Sequence, residues 1–98
     1  MKDLLEIKDD LNDIKYYYSM KEIFDQGAKY CVPSTLENKV KLYSNAISQA
    51  PAQLYAFFIS HYVNNQKRIV IANAWNTTTQ NLQFINRRLC EYFQQVLA

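Results

Sequence analysis

The chain has 98 residues, 49% of them hydrophobic, which is the size of one domain with a single modest core. Its one Gly and two Pro offer few positions for tight hairpin turns, so the composition disfavours an all-β fold and favours helices. The net charge of +2 does not by itself indicate nucleic-acid binding. No apolar run is long enough to span a bilayer and the N-terminus lacks a secretion signal, so we expect a cytoplasmic protein with no membrane partner.

The first segment, residues 1–33, is predicted to form one long helix followed by a loop. Apolar residues recur there at steps of three and four and so share one helix face: Leu4, Ile7, Leu11, Ile14 and Tyr18. The helix should run from about Lys2 to Gln26, with Gly27 as its C-cap. We expect the face to pack on the rest of the domain. A self-pairing coiled coil is the alternative, although the stripe covers only about two heptads.

The central segment, residues 34–65, is predicted to hold two helices. Ser34 and Glu37 have the spacing of a capping box, so a second helix should begin there and end near Gln49, before Pro51. Pro51 suits the first turn of a third helix, and Asn64-Asn65 should form the turn that follows it. The expected apolar faces are Leu36, Val40, Tyr43 and Ile47 on the second helix, and Leu54, Tyr55, Phe58, Ile59 and Tyr62 on the third.

The last segment, residues 66–98, is predicted to be a helix-turn-helix. A short helix over residues 66–75 is followed by the turn Asn76-Thr77-Thr78 and a long amphipathic helix from Thr79. Ala72 is small where the two helices would cross, Asn76 tolerates the left-handed conformation that such a turn needs, and Thr78 can cap the second helix. Four residues of the long helix should face inward: Leu82, Ile85, Leu89 and Phe93.

Charge is unevenly distributed along the chain, and the basic end coincides with this helix pair. Residues 1–30 hold five Lys against seven Asp or Glu, whereas residues 66–98 hold four Lys or Arg against Glu91 alone.

On a recognition helix, amides can pair with adenine, Arg with guanine, and Thr or the Phe84 ring can contact a thymine methyl, while Lys67, Arg68 and Arg88 would bind phosphates. The predicted DNA-binding residues are Lys67, Arg68, Thr78, Thr79, Gln80, Asn81, Gln83, Asn86 and Arg87.

Residues 71–89, IANAWNTTTQNLQFINRRL, resemble region 4 of sigma-70-type factors, with Asn76 at the usual glycine of the turn. Ala50-Pro51 opening a helix and the stretch 62–65 fit the same pattern, so the resemblance covers about Ala50 to Val96. A short chain with a helical N-terminal extension before this module is similar to the ArpU/RinA-type regulators of phages. We expect an all-α fold of about five helices. The resemblance implies promoter-region DNA binding in a phage or prophage within a bacterial host cell, and RNA polymerase as a candidate second partner.

We therefore expect one helical domain that binds double-stranded DNA as a sequence-specific transcriptional regulator. The alternative is a small phage-type protein that uses the same fold to bind and inhibit or redirect a host protein, because Tyr and Phe are favoured at protein interfaces. A homodimer formed through the first helix or the patch Tyr16–Tyr18 is a further hypothesis, since it would read two half-sites.

An enzyme is the class that the sequence favours least. There is no phosphate-binding Gly loop and no pair of metal ligands, so we expect neither cofactor nor metal. The single histidine, His61, has no acidic partner or nucleophile at a readable spacing and is expected to be structural or surface-exposed. Cys31 and Cys90 lie far apart and are expected to be buried or half-buried thiols.

Overall fold

The computed structural model describes residues 2–25 and 33–97. Within these ranges the chain forms helices and no strand, which confirms the all-α prediction. The elements are α1 (Leu4–Asp25), α2 (Ser34–Ile47), α3 (Ala52–Phe58), a π-helical segment (Ile59–Val63) that continues α3, α4 (Arg68–Ala74) and α5 (Thr79–Val96). The predictions made for Gly27 and Cys31 lie outside the described residues. No helix in these ranges has the length and apolar character required to cross a membrane.

The apolar face of α1 packs inside the domain. Ile7, Leu11 and Ile14 are fully buried, and α1 contacts α2, the π-helical segment and α5. Leu4 and Tyr18 pack at the edges of the same core. The prediction that this face packs on the rest of the domain is confirmed, and since the face is buried within one chain, it does not form the seam of a coiled coil.

A buried carboxylate joins α1 to α2. Asp10 is only 7% exposed, and its Oδ2 accepts a hydrogen bond from the Tyr43 hydroxyl at 2.7 Å. The ammonium groups of Lys2 and Lys39 lie 2.9 and 3.1 Å from its two oxygens. Burial alone raises the pKa of Asp10, but the hydrogen bonds from Tyr43, Lys2 and Lys39 outweigh it and hold the pKa below its ordinary value. The carboxylate is therefore charged and paired in the folded protein.

Helix α2 begins where the sequence predicts, but the capping box is wrong. Pro33 occupies the N-cap position in an extended conformation, and no side chain caps the helix. Ser34 is thus the first helical residue rather than the cap, which removes the geometry that a capping box needs. The Pro33 carbonyl instead accepts from the amide of Glu37 at 3.1 Å. The helix ends at Ile47, two residues before the predicted Gln49.

Helix α3 lies at the centre of the core, and its buried face overlaps the predicted one without coinciding with it. Phe57 is fully buried whereas Tyr55 is 45% exposed, so the predicted inward position of Tyr55 is wrong. Pro51 is the N-cap of α3 rather than part of its first turn. The α3 and π-helical residues that are buried follow one stripe: Leu54, Phe57, Phe58, His61 and Tyr62. The stripe is at helical spacing, but two overlapping choices of face fit the sequence, and packing decides between them.

The π-helical segment ends in the predicted asparagine turn. The amide of Asn64 donates to the carbonyl of Ile59 at 2.8 Å, and Asn65 adopts a left-handed φ of 55°. His61 is 8% exposed, stacks on Phe57 and donates from Nδ1 to the carbonyl of Gln66 at 3.0 Å. Burial lowers the pKa of His61, so the ring is neutral near pH 7. It acts as a core residue that fixes the turn.

Candidate nucleic-acid interface

The turn between α4 and α5 has the geometry of a helix-ending Schellman motif. Asn76 sits one residue beyond the α4 C-cap, Trp75, with a left-handed φ of 54°. Its amide donates to the carbonyl of Asn73 at 3.3 Å, and the amide of Thr77 donates to the carbonyl of Ala72 at 2.9 Å. Both bonds of the motif are thus present, with Asn in the place where Gly is usual. The predicted left-handed conformation of Asn76 is confirmed.

The start of α5 is fixed by two threonines and one asparagine. The Thr78 hydroxyl accepts from the amide of Asn81 at 3.1 Å, which confirms Thr78 as the N-cap. The Asn81 side-chain amide donates to the Thr77 hydroxyl at 2.9 Å. Asn81 is therefore bound to the turn through both its backbone and its side chain. These hydrogen bonds tie the first turn of α5 to the residues that follow α4.

The two sides of α5 differ sharply in polarity. The inward side is buried and includes all four predicted residues together with Cys90: Leu82, Ile85, Leu89, Cys90 and Phe93. The outward side of the N-terminal half is exposed: Thr79, Gln80, Asn81, Gln83, Phe84, Arg87 and Arg88. The first turn of α5 carries no acidic residue, so the partial positive charge of this helix end is not neutralised by a side chain of its own.

Some of the predicted site residues make side-chain contacts to the rest of the protein, and others do not. Gln80 and Gln83 are exposed and make no side-chain hydrogen bond to the described part of the chain. Asn86 is half-buried, and its Oδ1 accepts from the Tyr62 hydroxyl, so its carbonyl is directed into the protein. Arg87 donates from Nε to Glu91 at 3.3 Å on the surface, a pair that water screens and a ligand can displace.

Of the two basic residues at the start of α4, Arg68 lies beside this surface. Lys67 is the N-cap of α4 and is exposed, and Arg68 is half-buried as the first helical residue. Arg68 lines an open groove of about 550 Å³ that runs along α5. The groove residues come from three helices: Leu4 and Lys8 of α1, Arg68 of α4, and Gln80, Gln83, Phe84, Asn86, Arg87 and Cys90 of α5.

The sequence prediction did not include the contribution of α1 to this groove. Lys8 lies in the segment with net negative charge, and nothing in its spacing connects it to residues about eighty positions later. It reaches α5 because the buried face of α1 packs against that helix, which leaves the adjacent position of α1 beside Cys90 and Arg87. A charge pattern read along the chain could not have found it, since the contact depends on tertiary packing.

Comparisons with known proteins returned no relative. No protein-family model matches the chain. No curated protein matches its sequence at the threshold applied. No solved structure matches its fold at that threshold.

Proposed function

We propose that the protein is a sequence-specific DNA-binding transcriptional regulator that inserts the N-terminal half of α5 into the major groove of double-stranded DNA. The observation that carries this proposal is the exposed amide and guanidinium face of α5, which follows the hydrogen-bonded turn after α4. Amide and guanidinium groups are the side chains that pair with adenine and guanine edges. The phage or prophage setting, the bacterial cytoplasm and a contact with RNA polymerase are parts of the same proposal.

The exposure and hydrogen bonds of the predicted site residues support different proposed roles for them. Gln80, Gln83 and Arg87 are exposed groups that can reach base edges without breaking a buried contact. Lys67 and Arg68, at the start of the neighbouring helix, suit phosphate contacts that fix orientation. Thr79 is exposed at the first position of α5 and can contact a phosphate or a methyl group.

Three of the site residues make hydrogen bonds that stabilise the structure, so a mutational test of DNA binding must leave them unchanged. Thr78 caps α5, Asn81 donates to Thr77, and Asn86 accepts from Tyr62. Substituting these residues would loosen the helix itself, so loss of DNA binding would not show which group contacts the DNA. They support the interface by holding its shape.

The test is the double substitution Gln80→Ala with Gln83→Ala, measured by fluorescence anisotropy on labelled duplex DNA. Each good paired contact to a base contributes about 1–3 kcal/mol of discrimination. We expect the double variant to lose the wild-type preference for one specific duplex sequence over random duplex DNA. It should retain weak, salt-dependent binding to both. The matched control is Gln53→Ala with Gln95→Ala, since both residues are exposed glutamines outside the interface. Equal loss in both variants, or no loss in the first, contradicts the proposal.

A second candidate function rests on apolar exposure near the same surface. Ile69 and Val70 on α4 are 55% and 48% exposed, and Phe84 on α5 is 59% exposed. Large exposed apolar side chains favour a protein partner. Under this alternative the protein binds and inhibits or redirects a host protein, and replacing Phe84 with Ser abolishes function while Gln80→Ala with Gln83→Ala leaves it intact.

Dimerisation stays a hypothesis, now restricted to the remaining surface of α1. Tyr16 is 53% exposed, whereas Tyr17 and Tyr18 pack partly against the core. A dimer would double the contacts to DNA and read two half-sites. Sedimentation that gives a monomer at tens of micromolar on DNA-free protein contradicts it.

A further inference from the structure

The groove beside α5 is lined by three cationic side chains and by no carboxylate. Lys8, Arg68 and Arg87 come from three different helices. Among the side chains that the structure describes, those of residues 2–21 and 33–97, neither Lys8 nor Arg68 forms an ion pair, and Arg87 is paired only with half-buried Glu91. Like charges gathered around one concavity repel each other in the free protein and favour an anion there. The groove thus fits an anionic partner.

The groove is continuous with the face of α5 proposed to enter the DNA. Gln80, Gln83 and Arg87 belong both to that face and to the lining of the groove. The major groove of DNA is about 12 Å wide, and a helix with its side chains is about 10–12 Å across, so an inserted helix touches the sugar-phosphate strands at its flanks. Since Lys8 and Arg68 belong to α1 and α4, they border α5 where such a strand would run once the helix is inserted.

We propose that this groove binds backbone phosphates of the duplex and that Lys8 of α1 is a phosphate-contacting residue together with Arg68. The inference rests on the proposed DNA binding and extends the contact surface to the N-terminal helix. Lys8 gives the compact ammonium charge, and the guanidinium group of Arg68 can bind two phosphate oxygens at once. The N-terminal helix is then both part of the core and part of the DNA interface.

The consequence is a measurable change in salt dependence. Each phosphate contact adds about 0.9 to the steepness with which the logarithm of the binding constant falls against the logarithm of salt concentration. Lys8→Ala should therefore bind random duplex DNA with a slope shallower by about 0.9, which makes the loss of affinity between 50 and 200 mM salt about 3.5-fold smaller than in the wild type. Lys8→Arg should retain the wild-type slope, because it keeps the charge.

The matched control is Lys21→Ala. Lys21 is an exposed lysine on the same helix, thirteen residues further on and so about 20 Å away along the axis. Its removal lowers the net charge by the same amount but touches no groove residue. We expect it to leave the slope unchanged. The two variants separate a local phosphate contact from a general charge effect.

The outcomes distinguish this inference from the proposed function. Wild-type binding with equal slopes for Lys8→Ala and Lys21→Ala overturns the role of the groove and leaves DNA binding by α5 intact. A wild-type chain that binds no duplex at 50 mM salt overturns both. If it then binds poly-glutamate and loses that binding in Lys8→Ala, the groove receives an acidic protein partner instead of phosphates, and the inference is wrong.

Discussion

The hydrogen bond from Tyr43 to Asp10 should contribute more to stability than an ordinary surface contact. The donor and acceptor are both buried, 2.7 Å apart, and the acceptor is a charged carboxylate. Hydrogen bonds to charged groups contribute about 1.5–3 kcal/mol, so we expect Tyr43→Phe to lower the free energy of unfolding by about 2 kcal/mol at pH 7. The aromatic packing of residue 43 on Phe93 is retained in this variant, which isolates the hydroxyl.

A double-mutant cycle with Asp10→Asn separates the charge from the hydrogen bond. The asparagine carbonyl can still accept from Tyr43, but a bond between neutral groups contributes only about 0.5–1.5 kcal/mol. Tyr43→Phe should therefore cost about 1 kcal/mol less in the Asp10→Asn background than in the wild type. Urea unfolding followed by the fluorescence of half-buried Trp75 measures all four free energies.

The same carboxylate predicts an acid-dependent loss of stability. The pKa of Asp10 is lowered in the folded protein, so its contribution is complete above the unfolded value of about 3.9 and is lost as the pH falls through the lower folded value. Wild-type stability should fall more steeply below pH 4 than that of Asp10→Asn. A Tyr43→Phe cost under about 0.5 kcal/mol at pH 7, or parallel acid profiles for the two proteins, would refute the reasoning.

Three further predictions test the turns. Thr78→Ala should destabilise the protein by about 1 kcal/mol in urea unfolding because the α5 cap is lost, whereas Thr79→Ala, an exposed neighbour, should change stability by less than about 0.5 kcal/mol. Asn76→Ala should destabilise the protein by about 1 kcal/mol, seen as a lower thermal midpoint, because a left-handed φ is unfavourable for Ala. Its control, Asn73→Ala in helical α4, should not lower the midpoint. Wild-type stability should decrease as the pH falls below about 6.5. The pKa of buried His61 is lowered in the folded protein, so the unfolded chain takes up the proton first. A free energy of unfolding that stays constant between pH 7 and 5 contradicts this prediction.

Periodicity and turn chemistry predicted most of the helical framework. The inward faces of α1 and α5 follow from apolar residues at steps of three and four, and the inward positions of Ile7, Leu11, Leu82 and Leu89 are confirmed. Asn76 was identified because asparagine tolerates left-handed geometry at low cost. These features are local, so the sequence carries them directly.

Contacts between distant residues could not be predicted in the same way. Tyr43 finds Asp10 across thirty-three positions, and no local pattern marks either residue as the partner of the other. The choice of Phe57 over Tyr55 for the core depends on how α3 packs against α5. Ser34 also shows that a capping motif can be displaced when the preceding proline already supplies the extended N-cap conformation.

In the candidate site, too, local features could be predicted from the sequence and contacts between distant residues could not. The exposed face of α5 could be predicted because it is the complement of the buried stripe. The hydrogen bond from the Tyr62 hydroxyl to Asn86 could not be predicted, since it joins the π-helical segment to α5. Lys8 enters the groove only through the packing of α1 on α5. Tertiary structure therefore changes which predicted residues are free to bind DNA.

The central claim is that α5 contacts DNA with the N-terminal half of its exposed face. The most direct test is an amide chemical-shift titration of the isotope-labelled protein with duplex DNA at low salt. We expect shifts concentrated at residues 67–68 and 78–88 and around Lys8, with the exposed surface of α2 unaffected. No shift in the α5 amides on saturation with duplex, or shifts confined to other helices, would contradict the account.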